Sequence, residues 1–321
     1  MDLIYANEQK EDMGVLLDYS FDLAFGKDEN DFELKVNRQN HCCEAGYFIY
    51  IEGTEYGGIV DAIEVDTEAE EVTYKGRTWH GILEHKVLCP NSGQDYLTVS
   101  GEANTIIGSL LSRVGLSDMF EASGEDSLIR ITSYQFARYI DAYMGIRKML
   151  VSVGAKLLFT YKDGKVVLSA VPLVDYSQDE QFDSDQVALK IQRTYNAINH
   201  VICLGSGNLK NRQVIHLYAD ENGNVSHTQS LRGIQEVVAV YDYANAESLE
   251  DLEAGGKEKI KESYAQNKVS MDFDAEGTVY DIDDIVGSKD IQTGIEVKES
   301  IAKKIVSINK GEININYKVG D

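Results

Sequence analysis

The sequence predicts a mainly β protein in which an α+β insert separates two β modules. Three observations support this prediction: period-two alternation over the first ninety residues, two segments of helical period after them, and renewed alternation towards the C-terminus. The chain has 321 residues. A single domain usually has roughly 100–200 residues, so the chain is long enough for more than one domain. We expect a first β-barrel module at 1–95, a small α+β domain at 96–175 and a second β-barrel module at 176–321.

Short strands separated by turn residues fill the predicted N-terminal module. The alternating runs are residues 21–25, 32–36, 47–51 and 59–65. Strands that recur about every 8–12 residues are typical of a barrel or a sandwich. A further strand is expected to run from Val72 through 77–83. It would carry Trp79, the only tryptophan, as a core or interface anchor rather than as a platform for a sugar.

Apolar residues at helical spacing predict two helices in the insert. The first helix is predicted over 102–114, and the second begins at Ala137 or Tyr139 and ends at Val153. A β-hairpin is predicted over 156–171, because Asp163-Gly164 is a strong signal for a type I′ turn. Helices beside short strands indicate a domain distinct from the β modules.

The C-terminal module is predicted to contain strands and one long helix. A polar, acidic stretch at 175–185 is expected to connect the domains. The helix is predicted at about 245–264, with acidic residues such as Glu247 early and lysines late, although Gly255-Gly256 lies in its middle. Asn222-Gly223 is expected to form a turn. The predicted strands are 187–191, 198–204, 214–219, 225–229, 268–273, 295–297, 302–308 and 312–319.

The acidic composition restricts the partners that we expect. The chain has 54 Asp and Glu against 30 Lys and Arg, a net charge of −24. This charge repels phosphate backbones and anionic lipid surfaces, so we predict no sequence-specific binding of nucleic acid. No run approaches the ~20 apolar residues that span a bilayer, and no secretory signal is found, so we predict no membrane insertion and synthesis in the cytoplasm. The acidity is either an ordinary soluble surface or a surface past which an anion slides.

The search for catalytic, cofactor-binding and metal-binding residues predicts none. Adjacent Cys42 and Cys43 cannot form a Cys-x-x-Cys zinc motif, so we expect them to be semi-buried thiols in a strand-like run. We expect all four thiols, including Cys89 and Cys203, to be free and not bound to metal. Glycine-rich 204–208 is expected to be a hairpin or loop, because no helix that could complete a phosphate site follows it. We therefore predict that the protein needs no cofactor.

The acidic segment Asp281-Ile282-Asp283-Asp284 is expected to be a turn that enters a strand. Its spacing to Gly287 and Gln292 departs from that of an EF-hand calcium loop. Carboxylates are so abundant that no pair of them indicates a glycosidase.

Several segments along the chain resemble phage tail proteins. Segments 280–287, 293–295, 303–306 and 317–320 resemble the closing pattern of tail proteins from siphophages and Gram-positive prophages. Segment 76–83 resembles the strand that closes the N-terminal module of these proteins. Segments 201–205 and 214–218 fit the same family. The chain thus resembles the tail-hub family: the baseplate hub of contractile phages and the structured N-terminal part of siphophage tail-associated proteins. Asp283 stands where this pattern usually has glycine, and Asp tolerates a left-handed turn better than most residues.

The resemblance implies two tube-like β-barrels per subunit, with smaller domains attached, in a virion structural protein. Three subunits would present six barrels and match a threefold tail tip to a sixfold tail tube, with DNA passing through an acidic channel. The implied partners are further copies of the chain, a distal tail or tail-tube protein and the tape measure, and the implied location is the virion tail.

The resemblance also implies a protein that is not an enzyme. Relatives that digest cell wall or bind receptors carry these functions in C-terminal extensions, whereas this sequence stops directly after the closing strand. The alternative functions are a tail-associated cell-wall hydrolase or carbohydrate-binding tail protein, and a cytoplasmic β-rich enzyme.

Overall fold

The computed structural model describes residues 2–177, 181–183, 188–192, 197–221, 223–246, 248–264, 268–274, 278–309 and 311–320. It confirms a mainly β fold with few helices. The chain folds into two compact units, Met1–Leu189 with Met271–Gly320, and Lys190–Ser270. This division does not test the predicted modules 1–95, 96–175 and 176–321, which remain a prediction.

Strands dominate the first unit at both of its ends. The N-terminal elements are β1 (Leu3–Ala6), β2 (Asp12–Leu16), β3 (Tyr19–Gly26), β4 (Asp31–Asn37), β5 (Phe48–Tyr50), β6 (Gly57–Asp66), β7 (Glu71–Thr78), α1 (Trp79–Glu84) and β8 (Val87–Leu88). The middle elements are β9 (Thr98–Glu102), α2 (Ala103–Arg113), β10 (Phe120–Ala122), β11 (Arg130–Gln135), β12 (Ile140–Asp141), α3 (Ala142–Val151), β13 (Ala155–Lys162), β14 (Lys165–Pro172) and β15 (Gln181–Asp183).

The remaining elements follow the insert. They are β16 (Ala188–Gln192), β17 (His200–Leu204), β18 (Val214–Ala219), β19 (Val225–Ser226), β20 (Val238–Asp242), α4 (Leu249–Tyr264), β21 (Lys268–Asp274), β22 (Ile285–Lys289), β23 (Glu296–Asn309) and β24 (Glu312–Val319). The strands predicted at 295–297 and 302–308 are thus parts of one 14-residue strand, β23.

One large sheet contains strands from both ends of the chain. Its order is β16-β21-β24-β23-β3-β4-β7-β6-β5-β1-β2, with β22 and β15 attached beside β23. β3 pairs with β23 antiparallel, so that Phe21 lies opposite Ile308 and Leu23 opposite Val306. These side chains are buried in one core with Phe32 and Leu34 of β4, as the period-two pattern predicts.

The insert packs two helices against the β13–β14 hairpin. Asp163 and Gly164 have φ of 52° and 78°, which confirms the predicted type I′ turn. α2 begins after Glu102, whose carboxylate accepts hydrogen bonds from the backbone N–H of Asn104 and Thr105. α3 begins later than predicted, because Tyr139 has φ +58° and residues 140–141 pair with β8.

The predicted strand through 77–83 is wrong beyond Thr78. The Thr78 hydroxyl accepts a hydrogen bond from Gly81 N–H at 3.3 Å and caps α1, so Trp79 is the first residue of a helix. Trp79 is fully buried and stacks on Tyr161 at 5.4 Å, which confirms it as a core anchor. The strand-like run expected at Cys42 and Cys43 is also wrong, because residues 41–46 form a loop.

The second unit is a four-stranded sheet with α4 packed on one face. The strand order is β19-β18-β17-β20, and β20, which the sequence analysis missed, lies parallel to β17. α4 begins at Leu249 rather than at about 245. Glu247, predicted as an early acidic residue of this helix, and Asn222, predicted as a turn residue, lie outside the described residues. Gly256 fits close against the sheet, since a Cβ atom there would lie 2.3 Å from Cys203 Sγ.

Candidate functional site

The large sheet has one face that buries the core and one face that carries polar side chains. The register places Asp22 of β3 opposite Ser307 of β23 and Glu33 of β4, and Glu33 opposite Lys75 of β7. We call this surface the polar face. Its charged and polar members on β6, β7, β4, β3, β23 and β24 include Asp61, Glu64, Glu71, Thr73, Lys75, Arg77, Asp31, Glu33, Lys35, Ser20, Asp22, Lys303, Ser307, Asn314, Asn316 and Lys318.

Four cations of the polar face, which are Lys35, Lys75, Arg77 and Lys303, are paired with carboxylates. Lys75 Nζ lies 2.8 Å from Glu64 and 3.6 Å from Glu33, so it joins three neighbouring strands. Arg77 donates two hydrogen bonds to Asp61, at 2.8 and 2.7 Å, and this contact holds the pKa of Asp61 below its usual value. These pairs are exposed to solvent, so each adds little to stability. Their effect is to occupy the positive groups.

Lys35 and Lys303 follow the same rule. Lys35 Nζ lies 2.9 Å from Glu33, and a hydrogen bond from this lysine lowers the pKa of Glu33. Lys303 contacts the carboxylate of Glu29. The face therefore alternates sign over short distances, which is unfavourable for holding a polyanion.

Two grooves follow the polar face. One has a volume of about 530 Å³ and is lined by residues that include Asp22, Glu33 and Arg77. The other has a volume of about 480 Å³ and is lined by residues that include Ser20, Lys35 and Glu71. Charged side chains of the polar face line both grooves.

Buried ion pairs attach the insert to the turn before β22. Lys156 Nζ of β13 lies 2.7 Å from Asp281 and 2.7 Å from Asp284, and the Asp284 side chain is completely buried. Asp284 Oδ1 also accepts a hydrogen bond from Val174 N–H at 3.0 Å, and Asp284 Oδ2 one from Asp281 N–H at 3.0 Å. The predicted acidic turn into a strand is thus confirmed, and Lys156 pairs with two of its carboxylates.

Asp283 occupies a left-handed turn, with φ +76°, as the sequence analysis expected. Its carboxylate pairs with Arg147 of α3. Arg147 was not predicted as its partner. A signal was present, because Arg147 lies four residues after Tyr143 and three before Leu150, on the apolar face of a helix.

A second buried cluster joins β23 to the β5–β6 turn. Lys304 Nζ lies 2.6 Å from Glu55, and the Lys304 side chain is 3% exposed. Burial opposes the charge of Lys304, but Glu55 and Tyr56 outweigh burial and raise its pKa. His80 Nε2 lies 3.5 Å from the same carboxylate, yet burial, with the charges of Lys304 and Arg147, lowers the His80 pKa well below its usual value. His80 is therefore a neutral core residue.

The remaining candidates from the sequence occupy structural positions. Residues 204–208 join the antiparallel strands β17 and β18, which confirms a hairpin loop. The four cysteines are free thiols. In the part of the chain that the structure describes, no group of three or more His, Cys, Asp or Glu side chains could hold a metal ion. No helix among the described residues has the length and apolar character needed to span a bilayer.

Comparisons with known proteins identify the fold. No family model and no curated protein sequence matches the chain. A tail protein from Neisseria meningitidis MC58 matches in structure with a TM-score of 0.54 at 12% identity, over 100% of this chain and 96% of that one. A prophage tail protein from Listeria monocytogenes EGD-e matches with a TM-score of 0.55 at 12% identity, over 99% and 94%.

A third match covers both chains almost completely. The 43 kDa tail protein of prophage MuSo2 from Shewanella oneidensis matches with a TM-score of 0.57 at 12% identity, over 99% of this chain and 98% of that one. At this identity the likeness concerns the fold. The resemblance found in the sequence is confirmed at that level: the chain has the fold of prophage tail proteins.

Proposed function

We propose that the protein is a structural subunit of a phage tail hub, which assembles as a homotrimeric ring at the distal end of the tail tube. In this proposal each subunit supplies two tube-like β modules, so three subunits match the sixfold tube. The distal tail or tail-tube protein and the tape measure are its partners, and the virion tail is its location.

The observation that carries the proposal is the continuity of the polar face between the two ends of the chain. β3 and β23 pair over Ser20–Gly26 and Lys303–Asn309, so N-terminal and C-terminal strands contribute to one surface. A tube wall needs such an unbroken sheet, with an apolar side for the core and a polar side for the lumen. The whole-length likeness to tail proteins supports this assignment.

The charges of the polar face support its use as the lumen wall. DNA binds where Lys and Arg neutralise phosphates and release counterions. Lys75 and Arg77 are instead engaged by Glu64 and Asp61. Of the two interpretations of the acidity, we therefore favour a surface past which DNA slides.

The proposed ring is tested by measuring the oligomeric state of the chain, alone and with its tail-tube partner. The purified chain and the chain co-expressed with its tail-tube partner are examined by mass photometry and by electron microscopy of the complex. We expect a trimer whose lumen is lined by the polar face. A chain that stays monomeric at high concentration and high salt, and that does not join the tube partner, would contradict the proposal.

Charge reversal tests the lumen wall. The double variant Asp22→Lys/Glu33→Lys places positive charge on the polar face and frees Lys75 from one partner. We expect the assembled ring to retain duplex DNA at about 50 mM salt, whereas the unmodified ring releases it. As a control matched in charge, Asp95→Lys/Glu125→Lys reverses two exposed carboxylates outside the sheet and should not cause retention. Equal retention by both variants would contradict the assignment of this face.

The second candidate function, a cell-wall hydrolase or carbohydrate-binding protein, makes the opposite prediction about peptidoglycan. A structural subunit should release no reducing ends or peptide stems and should not sediment with the polymer. Turnover that is lost on substitution of one Asp or Glu would favour the hydrolase.

A further inference from the structure

Cys42 and Cys43 are adjacent in the loop between β4 and β5. Their Sγ atoms are 3.5 Å apart, close enough for an S–H···S hydrogen bond. Cys43 is completely buried, whereas Cys42 is partly exposed. A reagent from solution can therefore reach Cys42 first.

One buried side chain fixes the backbone of this loop. The Tyr74 hydroxyl oxygen accepts hydrogen bonds from Cys42 N–H at 2.9 Å and Cys43 N–H at 3.2 Å. It also lies 2.8 Å from His41 Nδ1, to which its O–H can donate. Tyr74 belongs to β7 and is completely buried, so the two thiols are presented from a rigid support.

The contact between the two sulfur atoms makes the thiols unequal. The hydrogen bond with Cys43 lowers the pKa of Cys42, and the same contact, with burial, raises the pKa of Cys43. The thiolate is the form that attacks a disulfide. Cys42 is thus suited to react first. Once Cys42 is held in a mixed disulfide, its thiolate no longer raises the pKa of Cys43, and Cys43 Sγ, 3.5 Å away, is placed to resolve the product.

We propose that Cys42 and Cys43 form a thiol–disulfide exchange site, which closes reversibly into a disulfide when it meets a small disulfide oxidant such as oxidised glutathione. The Cys42 thiolate attacks one sulfur of oxidised glutathione, forms a mixed disulfide and releases one glutathione thiolate. Cys43 then attacks Cys42 Sγ and displaces the second glutathione. The two cysteine protons leave with the two glutathiones, so the protein loses two hydrogens and one oxidised glutathione is reduced to two thiols.

Geometry makes the closed form easy to reduce again. Neighbouring Cα atoms are about 3.8 Å apart, whereas ordinary disulfides join Cα atoms at about 4.4–6.8 Å. A strained disulfide has a more oxidising potential than a structural one, and such bonds are the labile ones. The site therefore opens in a reducing compartment and closes in an oxidising one.

The test uses the full-length reduced protein, oxidised glutathione as the probe, and mass spectrometry. In protein denatured before alkylation, we expect Cys42 and Cys43 to be resistant to alkylation, with no glutathione retained on either of them. Trypsin cleaves after Arg38 and Lys75, and the peptide 39–75, in which Cys42 and Cys43 are the only cysteines, should have lost two hydrogens. Dithiothreitol should restore all four thiols.

Single variants separate this site from the other thiols. Cys43→Ser should hold a stable glutathione adduct on Cys42, whereas Cys89→Ser should behave as the unmodified protein does. Circular dichroism of each variant checks that it is folded. A glutathione adduct that persists on peptide 39–75 of the unmodified protein, or Cys42 and Cys43 that both remain reactive, would each overturn the proposal, whereas an adduct on exposed Cys89 is removed by the Cys89→Ser variant.

Discussion

Arg147 and Asp283 lie 136 positions apart in the chain and form a buried, two-pronged ion pair. Arg147 Nε donates to one carboxylate oxygen at 3.0 Å, and a terminal guanidinium nitrogen donates to the other at 2.7 Å. The two side chains are 9% and 11% exposed. The pair joins α3 of the insert to the turn before β22, so it couples two distant parts of the chain within the first unit.

We predict that Asp283→Gly destabilises the protein although glycine suits the turn. The backbone at φ +76° accepts glycine without strain, so the loss comes from the unpaired Arg147 charge. Breaking one side of a buried pair costs about 3–5 kcal/mol. The double variant Arg147→Met/Asp283→Gly should recover part of this loss, as measured by urea unfolding. Arg130→Met, which breaks an exposed two-pronged pair with Asp126, is the control and should change stability little.

We predict that Gly256→Ala loosens α4 from its sheet. The new Cβ would lie 2.3 Å from Cys203 Sγ and 2.7 Å from Leu217 Cδ1. Overpacking of this kind costs about 1–3 kcal/mol, which thermal unfolding would detect. Adding Cys203→Ala should return part of the stability. Gly108→Ala in α2, whose Cβ would meet only Ala122 Cβ at 3.5 Å, should instead stabilise by about 0.5–1 kcal/mol.

We predict that His80 makes the fold sensitive to mild acid. Burial lowers the pKa of folded His80 well below its usual value, so below about pH 6.5 the unfolded chain binds the extra proton. The stability that neutral His80 contributes is complete above that pH and is lost as the pH falls towards the lowered pKa. His80→Phe keeps a ring against Phe159 and removes the titration. Between about pH 7 and 5 the unmodified protein should lose about 2 kcal/mol more than this variant. Parallel stability curves would exclude this role for His80.

We predict that self-association strengthens with ionic strength. Subunits with a net charge of −24 repel one another, and the Debye length falls from ~30 Å at 0.01 M to ~10 Å at 0.1 M. Sedimentation velocity from about 0.01 to about 0.5 M salt should therefore show growth of the assembled species. Dissociation with rising salt would indicate an interface held by opposite charges instead.

Local patterns predicted the local parts of the fold. Alternation identified β3, β4 and β24, and Asp163-Gly164 identified a hairpin, because these features depend on neighbouring residues. The pairing of β3 with β23 was not predictable in this way, since the sequence of a strand does not show which distant strand it will pair with. The apolar pattern of the residues after Thr78 is compatible with a strand or with a helix. These residues form a helix whose N-terminus is capped by the Thr78 side chain.

The candidate site was predictable in its charge and less so in its contacts. From the acidic excess we predicted no sequence-specific binding of nucleic acid, which stays a prediction. Only the register shows that Glu33 and Lys75 face each other. Asp283 was recognised as a turn residue, whereas its partner Arg147 was hidden in a helix. The sequence signal of a buried ion pair between distant segments is a charged residue on the apolar face of a helix or strand.

β3 can pair with β23 only after nearly the whole chain has been synthesised. Asp22 and Ser307, which share a hydrogen bond, are 285 residues apart. At about 5–20 residues per second, a ribosome needs roughly 15–60 s to deliver the partner strand after β3. During that time one edge of β3 stays open, and an open edge recruits other chains. The open edge of β3 is therefore exposed to pairing with other chains until the last strands emerge.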